Sequence, residues 1–455
     1  MLVRLCRMAN ELRKIPLMVA LNPPNTEVVP THECRVPTRE GKRGIPLPAI
    51  VFLGGFQAFL VTLFCFGPAF GTSIESVAVA RSLAATGQFA NAYTPLATGA
   101  TAHLAPLYPV YLAVLLRTFS AMPTVVFIAS LANAYVFGLL LSLLPPIADL
   151  IYQREEGIGL TAALIGIAIP SFEMVPQGEM AVFAVGVASF CLLSLRDVRW
   201  REWLVGLLAG LTTLTNPAGV LFMAWWLVGL RVLRRWTSKQ LSIAVAIAFL
   251  VCFPWMLRNA MTLGTFAIRD DLGLEFYLYD NDLSQPSFMS NTPVFHKLSP
   301  SWNRSEAEEV KRLGEKRYNA AKFRTAFEWI KTHRLRFVVL SLERYAMFWF
   351  PDRRYFPIGY GAWLITGLSL PSMLSAVRRG LSLESLLVGG LVLFSLPYAL
   401  VNADFRYRDP VVWITLLFAA KTVMQIAGKH SWLRLRHCLR AKFRRIGGEK
   451  YPSPT

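Results

Sequence analysis

MPTVVFIASLANAYVFGLLLSLLPPI, residues 122–147, runs for 26 residues without a charged side chain. Wound as a helix at about 1.5 Å per residue, it outreaches the ~30 Å hydrocarbon core of a bilayer. Comparable apolar runs occupy 48–68, 158–172, 179–195, 203–215, 217–233, 240–257, 356–376, 382–400 and 409–427. Several are shorter than the ~20 residues of a full crossing, so their ends are loosely defined. The runs are continuous and do not alternate every second residue, which excludes a lipid-facing β-barrel. A chain whose backbone meets lipid must then satisfy its hydrogen bonds within helices. The composition agrees: 54% of residues are hydrophobic and 16% charged, against about a quarter charged in soluble domains. The expected fold is an all-α polytopic membrane protein with about ten to thirteen transmembrane helices.

Two further apolar stretches, 106–119 and 335–350, are short enough to lie in the interface. If both crossed, the cluster Arg231, Arg234, Arg235 and Lys239 would face outward. The positive-inside bias favours interfacial placement of both, and hence ten crossings with both tails cytoplasmic. Three segments then share the outer side: loop 69–121, the large loop 258–355 and the turn 401–408. The domain expectation is a basic tail over 1–47, a membrane domain over 48–428 and a second basic tail over 429–455. The first tail is rich in Pro and charge, which predicts disorder; it carries no apolar run long enough for a signal peptide. The net charge of +19 collects largely in these tails, where it suits anionic membrane lipid rather than nucleic acid. Cys6, Cys34 and Cys438 lie in the tails and Cys65, Cys191 and Cys252 in apolar runs, so no disulfide framework is expected. In the large loop, KRLGEKRYNAAKFRTAFEWIKTHRLRFVVLSLERYAMFWFP (311–351) reads as an amphipathic helix running into an interfacial one.

The acidic residues are sparse and one-sided. Between Glu40 and Asp149 only Glu75 is acidic, in GTSIESVAVARSLAATGQFANAYTPLATGATAHLAPLYP (71–109), with His103 and Tyr108 downstream. Glu173 and Glu179 bracket an outer turn, Arg258 ends a span in FPWMLRN, and Arg406 and Arg408 follow Asp404 in the last outer turn. A pump or transporter more often places charge near the midplane. Charge gathered at one face suggests surface chemistry on a lipid-anchored substrate. Removing a sugar from a polyprenyl phosphate needs a base for the acceptor hydroxyl, cations for the phosphate and a groove for the lipid. Glu75 supplies the first; Arg258, Arg406 and Arg408 supply the second.

Four stretches together resemble a GT-C type membrane glycosyltransferase, on the bacterial branch similar to protein mannosyltransferases and lipid A aminoarabinose transferases. They are ESVAVARSLAATGQF with TAHLAPLYPVYLAVLLRTF, the turn PSFEMVPQGEMAVF, FPWMLRNAMTLGTFAI with EFYLYDND, and FRYRDPVVWITLLFAA. The resemblance implies a bacterial inner-membrane enzyme, a polyprenyl-phosphate sugar donor, an inverting transfer to a lipid, glycan or protein acceptor, and an acidic residue in the first outer loop that acts as base or positions the acceptor. Glu75 is the matching carboxylate, although relatives usually carry Asp a few residues earlier, near Thr72 or Ser73. Some relatives bind a divalent metal there, and Glu75 with His103 is the corresponding pair.

Each candidate has an ordinary structural role beside the functional one. Glu75 suits a helix start. His103 and Glu179 suit helix caps, Tyr108 an interfacial anchor, and Asn281 in YLYDND a turn. Arg258, Arg406 and Arg408 suit the membrane edge. In the functional reading His103, Tyr108, Glu179 and Asn281 contact substrate and the arginines hold phosphate. Two other functions stay open: a ligase or polymerase using diphosphate-linked glycans, and a lipid or glycan transporter.

Overall fold

The computed structural model describes residues 47–66, 74–94, 96–153, 155, 157–172, 178–356 and 358–428. Most of both basic tails, Thr72, Ser73 and Glu173 lie outside the described residues. In chain order the helices are α1 (Leu47–Phe66), α2 (Ile74–Thr86), α3 (Leu107–Phe119), α4 (Met122–Tyr152), α5 (Ile158–Ala168), α6 (Met180–Leu195), α7 (Arg201–Thr215), α8 (Val220–Val232) and α9 (Ser238–Leu263). Then come α10 (Leu272–Tyr279), α11 (Phe288–Leu298), α12 (Arg304–Leu313), α13 (Glu315–Thr332), α14 (Arg334–Trp349), α15 (Ile358–Arg378), α16 (Leu383–Leu400) and α17 (Val412–Ala427). A 3-10 turn, Phe405–Val411, leads into α17. No strand forms among the described residues, and the protein is an all-α polytopic membrane protein.

Six helices among the described residues are long and apolar enough to cross a membrane: α1, α4, α9, α15, α16 and α17 with its lead-in turn. α3, α5, α6 and α8 with its entry turn are shorter apolar helices. α7, expected as a span, falls outside both sets; it opens on the charged pair Arg201 and Glu202. The helix ends follow local chemistry. α9 starts on a capping box, Thr237 with Gln240, and stops at Gly264, whose φ of +73° suits a residue without a Cβ.

α17 forms the centre, with 72% of its apolar window buried against neighbours that include α15, α5 and α4. α9 is the opposite case at 11%, and it displays Val245, Phe249, Leu250, Leu257 and Met261 outward. A continuous apolar face of that kind is what lipid covers. Its inner side rests on α7 through small residues: a Cβ on Gly206 would stand 2.6 Å from the Ala244 carbonyl oxygen. Lipid supplies no hydrophobic drive between spans, so such close approach carries the association.

The large loop folds as α10 to α14; within residues 311–351 the two expected helices are α13 and α14, parted at His333, with the end of α12 before them at Gly314 (φ +77°). A second, smaller core joins Val79 of α2, Tyr93, Leu274 and Tyr279 of α10, Val310 of α12 and Tyr318 of α13. These pieces make a helical cap, and between the cap and the bundle lies a cavity.

Candidate active site

The cavity has a volume of about 540 Å³. From the bundle it is lined by Phe59, Asn133, Glu179, Asn216, Asp404, Arg406 and Tyr407, and from the cap by Glu75, Tyr93, His103, Arg269, Glu275, Ser301 and Trp302. Glu179 precedes α6, Asn216 follows α7, and Asp404, Arg406 and Tyr407 lie in the turn before α17, while Phe59 and Asn133 lie within α1 and α4.

Glu75 stands in the first turn of α2, where the helix dipole favours a negative charge. Its Oε1 accepts a hydrogen bond from Ser301 Oγ at 2.9 Å, across 226 residues of sequence. The helix start and the cavity are therefore compatible roles for one residue. His103 reaches the cavity on loop 87–106, where its Nδ1 shares a 3.1 Å hydrogen bond with the Tyr93 hydroxyl. Burial, and then the nearby Arg269 charge, lowers the His103 pKa to about 3, so the ring is neutral at physiological pH. Glu75 with His103 falls short of the donor set of a protein-built metal site: one ring nitrogen is engaged by Tyr93, and no group of three or more His, Cys, Asp or Glu gathers among the described residues.

The loop carrying Tyr93 and His103 is fastened on three sides. Arg258 donates to the Thr101 carbonyl at 2.8 Å and the Phe89 carbonyl at 2.9 Å, and its guanidinium lies 5.0 Å from the Trp255 ring centre. Glu315 accepts from Thr101 Oγ1 at 2.5 Å and from the Ala102 amide at 2.6 Å. Arg269 Nε donates to the His103 carbonyl at 2.8 Å. Arg258, read from sequence as a phosphate ligand, is not among the cavity-lining residues and spends its donors on loop carbonyls.

Arg269 and Glu275 are the pair that sequence reasoning passed over. Arg269 ion-pairs with Asp271 and stands 3.8 Å from Glu275. Glu275 occupies the first turn of α10. That helix can lie on α13 because position 273 is glycine: a Cβ there would sit 2.0 Å from the Asn319 carbonyl oxygen. Burial first, then the charge of Asp271, pushes Glu275 up to about 7; Glu75 adds to the rise, while Arg269 and Arg406 oppose it. Residues 269–274, RDDLGL, lie between the two segments quoted above, FPWMLRNAMTLGTFAI and EFYLYDND. An arginine beside two acids just before a helix was the available signal.

Arg406 comes to the cavity, paired with Asp404 at 3.0 Å and lying 5.3 Å from the Tyr407 ring centre. Asp404 is itself held by the Tyr355 hydroxyl at 2.6 Å. Arg408 turns elsewhere, because in a 3-10 turn residues two apart point about 120° from each other. It is buried and donates to Thr366 Oγ1 at 3.3 Å and the Trp349 carbonyl at 3.4 Å. Glu179 lines the cavity and accepts from Asn216 Nδ2 at 3.3 Å; its side chain does not cap α6. Tyr108 is packed with Val77, Ala80 and Leu112 and hydrogen-bonds Asn133, which does line the cavity. Asn281 closes a turn, accepting from the Leu283 amide at 2.9 Å and donating to the Tyr277 carbonyl at 3.0 Å. Of the sequence candidates, Glu75, His103, Glu179 and Arg406 share the cavity, while Tyr108, Arg258, Asn281 and Arg408 lie outside its lining.

No family model and no curated protein sequence matches the chain. Among solved structures it is similar to the archaeal oligosaccharyltransferase AglB from Archaeoglobus fulgidus in complex with an inhibitory peptide and a dolichol-phosphate. The TM-score is 0.48 and the identity 13%, over 89% of this chain and 52% of that one. It is also similar to the Archaeoglobus fulgidus oligosaccharyltransferase in the apo form, with a TM-score of 0.47 and 11% identity over 90% of this chain and 53% of that one. The chain thus spans about half the length of the solved structures it matches.

Proposed function

We propose that the protein is a glycosyltransferase of a bacterial inner membrane, with both termini cytoplasmic and the cavity at the outer face. It would take a sugar from a polyprenyl-phosphate donor and transfer it with inversion. The observation that carries this reading is one cavity, at the end of an apolar helix bundle, whose wall holds Glu75 together with Arg269 and Arg406. Glu75 takes the proton of the acceptor hydroxyl as its oxygen attacks the anomeric carbon. The bond from that carbon to the phosphate oxygen breaks, and its electron pair leaves on the lipid phosphate. Arg269 and Arg406 stabilise the charge that gathers there, since guanidinium N–H groups match phosphate oxygens in pairs. The sugar passes through an oxocarbenium-like transition state. Glu179 and the neutral ring of His103 complete the polar wall around the reacting sugar.

Sugar transfer in membranes carrying Glu75→Gln tests the base role. The expected loss in kcat is about 10²- to 10⁴-fold, the usual contribution of a positioned general base. Activity near wild type would remove Glu75 from that role. Supplying monophosphate and diphosphate donors separately distinguishes this reaction from a diphosphate-glycan ligase or polymerase. Ligand movement without a new glycosidic bond would identify a transporter.

A further inference from the structure

The turn between α11 and α12 places a buried hydroxyl and an exposed indole side by side. Ser301, 5% exposed, points its Oγ at Glu75; Trp302, the next residue, is 47% exposed and also lines the cavity. The turn holds that arrangement through its own backbone. The amides of Trp302 and Asn303 donate to the Ser299 carbonyl at 3.0 and 2.8 Å, and the Ser301 amide donates to Ser299 Oγ at 3.2 Å. Asn303 then caps α12, accepting from the Ser305 amide at 2.9 Å, and its Nδ2 donates to the Lys297 carbonyl at 2.6 Å. Thr94 Oγ1 ties the turn to the cap through the Ser301 carbonyl at 3.2 Å. The indole is backed by His296, whose ring centre lies 4.2 Å away, and His296 also lines the cavity.

A rigid, half-exposed aromatic pair beside a carboxylate and two serine hydroxyls has the features of a carbohydrate subsite. An aromatic face is electron-rich and suits the slightly positive C–H face of a sugar ring. Convergent hydroxyl and carboxylate groups at the edge of such a face fix the ring's own hydroxyls. A peptide acceptor would instead ask for backbone partners along an extended groove.

We propose that the acceptor is a glycan, whose sugar ring stacks on Trp302 and His296 and whose attacking hydroxyl is handed to Glu75 beside Ser301. The inference rests on the reading of the site given above and names its acceptor class. The platform adds no bond-making step; the proton, the new glycosidic bond and the departing phosphate are those already described.

The binding arm uses fluorotryptophan-labelled full-length protein in detergent, with the Trp302 resonance assigned by its loss in Trp302→Phe. Titration with methyl hexosides and methyl pentosides is expected to shift that resonance in both the wild type and Glu75→Gln. The kinetic arm compares Trp302→Ala with Trp302→Phe. Trp302→Ala is expected to raise KM for a glycan acceptor about tenfold, as loss of one aromatic contact does, with a far smaller change in kcat and in donor KM. Trp302→Phe should recover most of the loss. A Trp302 resonance unmoved by every glycoside, or transfer to a peptide that is unchanged by Trp302→Ala, overturns the inference. Full activity of Glu75→Gln with a shifting Trp302 resonance would end the base assignment and leave the glycan platform standing.

Discussion

The two ends of the helix bundle treat charge in opposite ways. Toward its C-terminal end α17 buries Lys421 at 1% exposure, with Nζ 3.0 Å from Glu384 and 3.1 Å from Glu155, and Arg379 meets Glu384 at 2.7 Å. Two cations face two anions, and the Tyr152 ring packs over the lysine at 4.7 Å. At the other end, where α17 begins, Glu75, Glu179, Glu275 and Asp404 share a cavity wall with Arg269 and Arg406. There the charges are unequal and face open volume. A closed, balanced cluster locks helices together; an open, unbalanced one is held ready for something that enters.

That contrast predicts different costs for removing a cation. Lys421→Met should lower stability by about 1–3 kcal/mol, because Glu384 loses its buried partner and keeps only the half-exposed Arg379. Thermal unfolding in detergent measures it, and Lys421→Met with Glu384→Gln should regain much of the loss. A fall of less than 1 kcal/mol, the scale of an exposed pair, would erase the distinction between the ends. Arg269→Gln should behave in the reverse sense. Transfer activity is expected to drop by about 10²- to 10³-fold, the scale for losing one preorganised donor to a developing oxyanion. Its melting temperature should move less than that of Lys421→Met, since Arg269 and Glu275 both line the open cavity.

The same contrast explains what was legible in the sequence. The long spans were, since residues 122–147 and their counterparts are apolar without interruption, whereas 203–215, read as a span, forms α7, which is in neither set of apolar helices. Glu75 was, because it is the lone acid over a hundred residues of chain. Arg406 was found together with Arg408, yet only one enters the cavity, and spacing alone does not show which face a 3-10 turn presents. Arg258 looked like a ligand because it ends a span beside the loop. Its partners, the carbonyls of Phe89 and Thr101, are more than 150 residues away in the chain. Ser301 and Trp302 were silent, since their meaning depends on a contact with Glu75 that no local pattern encodes. Glu275 and Arg269 lay in a short charged stretch whose purpose appears only once Gly273 lets α10 dock on α13.

The smallest expected effect is a matter of pH, and it sharpens the comparison further. Glu275 faces Asp271, Glu75, Arg269 and Arg406, and it is raised from the ordinary 4.5 to about 7. A carboxyl whose folded value is raised favours the fold in its protonated form. Its contribution is complete below about 4.5 and is lost as pH climbs through about 7. Ionisation in that window also adds a negative charge beside the guanidiniums assigned to the donor phosphate. Donor KM should therefore rise by a few fold as the pH passes upward through this range, the scale of one screened like charge. Glu275→Gln should flatten both the stability slope and the KM rise while leaving kcat at low pH near wild type. If Glu275→Gln leaves the pH dependence of donor KM intact, the cavity's charge imbalance does not govern donor binding.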